Sequence, residues 1–349
     1  MRYFMCYLFV AGAWRLVCGI LEVAIISSTT AQPSQPYYKG DKKQPIILRV
    51  IKQWDLQILV VPAILYIILF NYIPMYGILM AFQSFKLGDF PGFSEWAGFK
   101  QFIDVFSHPY FPLALRNTLV MSGLRLLVGF PMPIIFAIML NEIRIFKFKK
   151  ITQTISYLPH FISWVVAARL MFDFFSVDNG VINNIMMALG LVKEPVYFFG
   201  KAQYFWAMAT VTDLWKELGW NAIIFVAAIT SIDAELYEAS SIDGAGRLTK
   251  IWHITLPCIK PTIIILLIFA VGGMLNANFD QVYMLTNQMN NAQLRTTAEV
   301  IDTFIMRLGI REFRYSFAAA TGLFRTIINF ALLLGANRLA DRVGETGLF

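Results

Sequence analysis

From Ile58 to Phe82 the sequence carries no charged residue, and the run LVVPAILYIILFNYIPMYGILMAF is apolar almost throughout. A stretch of that length suits the hydrocarbon core of a bilayer, which takes about 20 apolar residues per helix. Five further stretches share the character, at 117–140, 152–175, 204–230, 261–282 and 317–337. Only 15% of the 349 residues are charged and 58% are hydrophobic, against about 25% and 45–50% in soluble domains. The pattern predicts an all-α, polytopic membrane helix bundle with six core spans. It excludes a disordered chain, a disulfide scaffold and a large soluble domain.

Basic residues set the orientation. Lys39, Lys42, Lys43, Arg49 and Lys52 precede the first span, Arg144, Lys147, Lys149 and Lys150 lie between the second and third, and Arg338 and Arg342 follow the sixth. With six spans these segments fall on one side, which the positive-inside rule makes cytoplasmic. The loop at 231–260 falls there too. The net charge of +7 is thereby explained by topology, and no basic stripe with interleaved aromatics points to nucleic acid. Residues 1–44 read as an N-terminal extension and 45–349 as the membrane domain. The extension holds a moderately apolar run interrupted by Arg15 and Glu22. Three readings compete: an extra helix, a signal-like segment and an extension outside the folded core. The extra helix is favoured, since cleavage of a signal peptide would strand the basic residues at 39–52 outside.

The most informative loop is SIDAELYEASSIDGAGRLTKIWHITLPCIKP. Asp233 is placed to cap a helix over 234–242, with Glu235 in its first turn. Gly244 and Gly246 break that helix and allow a left-handed turn. A second short helix follows over 247–256, stopped by Pro257 and Pro261. Helices this short are not stable alone. The small residues Ala239, Ser240, Ser241 and Ala245 invite close packing, against either the bundle's own rim or another protein.

This loop resembles the cytoplasmic loop of ABC-importer permeases, whose pattern is Glu-Ala-Ala, three residues, Gly, nine residues, Ile, one residue, Leu-Pro. Here Glu238, Ala239 and Ser240 precede Gly244 at the required distance, and Ile254, Leu256 and Pro257 complete the pattern. Ser240 in place of Ala is the one departure. DLQILVVPAILYIILFNYIPMYGILMAF, WKELGWNAIIFVAAI, FDQVYMLT and the terminal GLFRTIINFALLLGANRLADRVGETGLF are similar to the branch of that family that moves complex oligosaccharides. Sugar permeases often follow the third motif with Gly-Gly-Pro, where this chain has Asn287, Gln288 and Met289. The resemblance implies a carbohydrate importer at the cell membrane. It implies as partners a cytoplasmic ABC ATPase dimer, a second homologous permease subunit and an extracytoplasmic solute-binding protein. A non-sugar solute carried by the same architecture is the alternative.

No phosphate-binding loop is present: Gly200-Lys201 is followed by Ala202 and has Pro195 where the first glycine should stand. The chain therefore borrows its ATPase. His108, His160 and His253 lie in separate segments, and Cys6, Cys18 and Cys258 match no metal or redox spacing. No enzyme, cofactor or metal is expected.

Ionisable residues within spans are costly and mark functional or pairing sites. Arg169 with Asp173, and Asp213 with Lys216, are spaced to pair along one helix face. Lys216 and Glu217 are adjacent and point apart, and Arg125 and Arg325 stand alone. For a sugar path, which needs aromatic platforms and amide or carboxylate partners, the candidates are Trp215, Trp220 and Asn221 in the fourth span. The fifth adds Gly272, Gly273, Asn276, Asn278, Asp280, Gln281 and Tyr283. On a continuous helix Asn276, Asp280 and Tyr283 share a face. The alternatives are lipid-facing tryptophans and asparagines that bond between helices.

Overall fold

The computed structural model describes residues 54–86 and 88–342, with Gly344 and Gly347. The N-terminal extension and its expected helix lie outside the described residues. The chain divides between Tyr76 and Gly77 into two units. Helix dominates, and the described residues contain no strand beyond a single bridge between Gln83 and Trp96.

The first membrane-length helix, α1 (Gln57–Phe82), contains Pro62, loosens to a π-turn at Ile68–Tyr72 and tightens to 3-10 geometry at Tyr76–Phe82. After the short helix α2 (Lys100–Phe106), α3 (Phe111–Glu142) crosses as one span. It has its own π-turn at Arg125–Gly129, just ahead of Pro131 and Pro133. A π-turn frees a backbone carbonyl that the next proline cannot serve.

The third span is not one helix. α4 (Phe146–Tyr157) ends in a 3-10 turn at Leu158–Phe161, and α5 (Trp164–Phe174) leaves at 107° to it. Pro159 prevents a straight continuation, and Ser163 Oγ accepts the Val166 amide to start α5. The short α6 (Val181–Ala188) follows. α7 (Ala202–Thr230) then runs for 29 residues. α8 (Ala234–Ile242) matches the expected 234–242.

The fifth span departs from expectation at both ends. Pro257 and Pro261 do not stop the preceding helix: α9 runs from Arg247 to Gly272. A π-turn at Ile251–Thr255 receives Pro257 in the following turn, where the wider backbone avoids the clash with the carbonyl four residues back. The other end comes early, at Gly272, and Asn276 and Asn278 lie in a non-helical break. Asn278 takes φ 52° and caps α10 (Phe279–Leu285) through its side chain. α11 (Ile301–Met306) and the last span, α12 (Tyr315–Arg342), complete the chain.

Four of these helices are long and apolar enough to cross a membrane, and the bent α4–α5 pair qualifies as a fifth. α7 has the length, but Asp213, Lys216 and Glu217 interrupt its apolar run. Two of the clusters that form the core centre on α7. Phe205 and Ala209 pack with Met121, Met171, Val282 and Leu285, and Ala222, Phe225 and Ile229 with Ala137 and Ile259. Gly219 permits the crossing with α4, since a Cβ there would overlap the Ser156 carbonyl. A third cluster joins Ala81, Val105, Phe111, Phe304 and Phe317.

Candidate functional site

A cavity of about 380 Å³ opens between α3, α7 and α9. Its walls are chiefly aliphatic and aromatic, with Phe130 and Trp220 among them, and its polar groups are few: Ser122, Arg125, Asn221 and Asn276. Trp220, Asn221 and Asn276 were singled out from the sequence, and the fold brings them to this one space. Trp215 instead packs against the α7 core cluster. Asp280 and Tyr283 are outside the lining, and the Tyr283 ring is stacked on Phe279. The expected shared face of Asn276, Asp280 and Tyr283 does not exist, because the helix ends at Gly272 and restarts at Phe279.

The break at 273–278 exposes backbone at membrane depth, which is tolerated only when protein satisfies it. Three of its groups are met by side chains from elsewhere in the chain. The Leu275 amide donates to Asn329 Oδ1 at 2.9 Å, the Ala277 amide to Asp302 Oδ2 at 3.3 Å, and the Asn276 carbonyl accepts from Arg125 Nη1 at 3.2 Å. Asn329 Nδ2 donates in turn to Asn276 Oδ1 at 3.2 Å. Arg325 forms an ion pair with Asp302. Arg125 pairs with Asp213, Nε to Oδ2 at 3.3 Å. Neither arginine is alone, and both partners belong to the same chain.

The pairing expected between Asp213 and Lys216 is therefore not made. Lys216, only 4% exposed, sends its ammonium to the His160 carbonyl at 2.7 Å and to Glu217 Oε1 at 3.1 Å. Glu217 Oε2 meets His160 Nδ1 at 2.6 Å. The long side chains of these neighbours curl toward one point because the break after α4 leaves a carbonyl and an imidazole there to be satisfied. Arg169 and Asp173 pair as their spacing predicts, at 3.2 Å on an exposed face.

Ser122 and Arg125 also line the cavity, though the sequence does not mark them as site residues. A serine in an apolar helix carries no distinguishing signal. Yet Ser122 Oγ is buried, lines the cavity and has no hydrogen-bond partner among the described residues. A hydroxyl in that position invites a polar group to enter.

The 231–260 segment forms a helical hairpin. Asp233 Oδ1 accepts the Glu235 amide at 3.0 Å, and the turn places Gly244 at φ +76° with open space where a Cβ would stand. Gly246 keeps an ordinary negative φ. Tyr237 Oη and Thr255 Oγ1, 2.9 Å apart, clasp the two arms. Arg247 approaches Glu142 at the end of α3, at 3.9 Å. Glu238, Ala239, Gly244 and Pro257 are exposed, whereas Ser240, Ile254 and Leu256 are half-buried. Beside them Leu236, Ile242, Leu248 and Trp252 stand in solvent, Ile242 at 88%. Such an apolar patch marks an interaction surface.

Comparison with known proteins places this geometry. Residues 116–345 match the family of the binding-protein-dependent transport system inner membrane component. The polygalacturonan/rhamnogalacturonan transport system permease protein YteP of Bacillus subtilis (strain 168) is 41% identical over 89% of this chain and 95% of its own. A chain in the crystal structure of a bacterial ABC transporter involved in the import of the acidic polysaccharide alginate superposes with a TM-score of 0.78. It is 39% identical and covered over 99% of its length, against 86% of this chain. A chain of the bacterial alginate ABC transporter in complex with alginate pentasaccharide-bound periplasmic protein gives 0.79 at 38% identity, over 87% of this chain and 100% of its own.

Proposed function

Because the chain belongs to the family of binding-protein-dependent transport system inner membrane components, we propose that it forms the sugar-conducting half of an oligosaccharide importer. It is a multi-pass inner-membrane permease of a bacterial ABC transporter. An extracytoplasmic binding protein delivers the sugar, a second homologous permease completes the path, and a cytoplasmic ATPase dimer drives it.

The observation that carries the reading is the cavity. A pyranose presents apolar faces and a rim of hydroxyls. Trp220 offers a face, and Ser122, Asn221 and Asn276 offer hydrogen-bonding groups around it. The ATPase is proposed to dock on the hairpin, where Glu238, Ala239, Ser240 and Gly244 form the contact arm and Ile254, Leu256 and Pro257 root it in α9. Trp215, Asp280 and Tyr283 are left to packing and to the outer end of the path.

The test is reconstitution in proteoliposomes with the ATPase, the second permease and the binding protein. ATP should drive uptake of labelled uronate or neutral oligosaccharides, and the relatives named for polygalacturonan/rhamnogalacturonan and alginate make uronate ladders the first probes. Uptake of amino acids or peptides with no sugar transported would overturn the carbohydrate reading.

A further inference from the structure

The loop after α10 holds Asn287, Gln288 and Met289 at φ 50°, 57° and 63°. Three consecutive side-chain-bearing residues in the left-handed region are costly, about 1–2 kcal/mol each. Glycine would remove that cost at 287 and 288. The proline of the Gly-Gly-Pro that the resembling sugar permeases often carry is fixed at a negative φ and cannot stand where Met289 does, so this turn is the chain's own. The surroundings hold the turn in place. The Gln288 amide donates to the Tyr283 carbonyl at 2.7 Å, the Met289 amide to Thr286 Oγ1 at 3.1 Å, and Arg311 Nη2 to the Gln288 carbonyl at 2.7 Å. Strain maintained this way is characteristic of sites where side chains are in use.

Of these three, Asn287 faces a groove, and Asn290 joins it there. Asn287 and Asn290 are exposed, their side-chain amides have no partner among the described residues, and they line an open depression of about 820 Å³. Phe172, Tyr197 and Gln293 share its lining. The Tyr197 ring lies across Gly200, where a Cβ would overlap the ring carbons. One part of the ring is thereby seated on backbone while 54% of the residue stays exposed. The groove adjoins the Ala202 end of α7, about 43 Å along that helix from the 231–260 hairpin.

We propose that this groove is a second carbohydrate subsite, on the face opposite the hairpin, that holds the trailing residues of an oligosaccharide while the leading ones enter the cavity. Tyr197 supplies a flat platform for a pyranose face, and the amides of Asn287 and Asn290 bond its hydroxyls. The inference rests on the carbohydrate reading. It adds that the permease itself senses chain length.

The experiment uses the complete reconstituted transporter and two labelled ladders, galacturonate and alginate oligosaccharides of two to six residues. Asn287→Gly removes the amide and relieves the strained backbone, so misfolding is not a competing explanation. Tyr197→Ala removes the platform, and Tyr197→Phe restores the ring. For Asn287→Gly and Tyr197→Ala, the uptake ratio of the hexamer to the shortest imported member should fall about tenfold, the effect of one lost hydrogen-bonding or stacking partner. Tyr197→Phe should recover most of that loss. An equal loss at every length, or weakened capture of the binding protein, would overturn the inference and assign the groove to protein docking. An unchanged ratio would overturn it as well. Neutral oligosaccharides of the same lengths serve as a third ladder, and wild-type transporter that imports none of the three overturns the carbohydrate reading itself, a distinguishable failure.

Discussion

The indole of Trp220 lies flat against the imidazole of His160, with ring centroids 4.1 Å apart and planes 2° from parallel. One ring lines the cavity and the other sits in the break of the third span. Glu217 and Lys216 fasten that break, so an ion pair buried in α7 sets where the aromatic wall stands.

Glu217→Ala should therefore lower stability by about 3 kcal/mol, because it leaves the Lys216 ammonium buried without its carboxylate. The double variant Lys216→Met with Glu217→Leu should recover part of the loss. Thermal unfolding of the purified protein reads both. A single variant as stable as wild type would show that the pair does not hold the break.

Ser122→Ala and Asn276→Ala separate substrate contact from helix packing. Ser122 Oγ has no partner to lose, so its removal should leave the unfolding temperature unchanged and weaken uptake at limiting sugar about 5-fold or more. Asn276→Ala breaks the bond from Asn329 and should also cost about 1 kcal/mol of stability. Normal uptake by both variants would place the sugar elsewhere.

Gly244→Asp should insert and express normally, yet abolish ATP-driven uptake. A side chain has room at that position, so internal overlap cannot account for a loss. What changes is the strain at φ +76° and a new charge on the exposed arm proposed to dock the ATPase. Uptake at the wild-type rate would show that the turn packs only against its own bundle.

His108 gives the outer loop a pH dependence. Burial, followed by Arg314 and Arg307, holds its imidazole below the usual histidine range. Nδ1 accepts the Tyr110 amide at 3.3 Å, which only the neutral ring can do. A folded-state value below the unfolded one means that stability is full above about pH 6.5 and falls as the pH drops through it. Wild type should lose unfolding temperature between pH 7 and pH 5, and His108→Gln should lose less. Equal slopes would remove His108 from the explanation.

Topology is tested with single cysteines after Cys6, Cys18 and Cys258 are replaced by serine. A cysteine at Lys149 should resist a membrane-impermeant thiol reagent in intact cells, and one at Gly92 should react. The reverse pattern would invert the orientation and remove the hairpin from the ATPase side.

Features written in local sequence were legible. The cap at Asp233, the helix over 234–242 and the left-handed Gly244 each depend on neighbours within a few positions, and the apolar runs announced the bundle. Features set by distant partners were not. Arg125 meets Asp213 across 88 residues and Asn329 meets Asn276 across 53, so spacing along one helix suggested the wrong pairs. Pro257 does not stop the helix because a π-turn ahead of it absorbs the proline, and α9 continues in regular α-helix through Pro261; neither outcome is marked in the local sequence. Trp220, Asn221 and Asn276 could be picked out for the cavity because polar and amphipathic residues in apolar helices are rare enough to notice. Ser122, small and common, was not.

α9 joins the exposed Leu248 and Trp252 to the cavity wall at Gly273 without interruption. Near its far end Gly272 presses on Leu333 so closely that a Cβ would not fit. A 10° rotation about that crossing would carry Leu248 through about 6 Å, at 1.5 Å of rise per residue. Asn276, a few residues beyond the crossing, would move by about 1 Å or less on the same estimate. The helix is thus geared: a broad swing where the ATPase is proposed to dock becomes a short, forceful displacement where the sugar is proposed to bind. A short stroke suits a binding wall, since a shift of that size is enough to break hydrogen bonds without emptying the space around them.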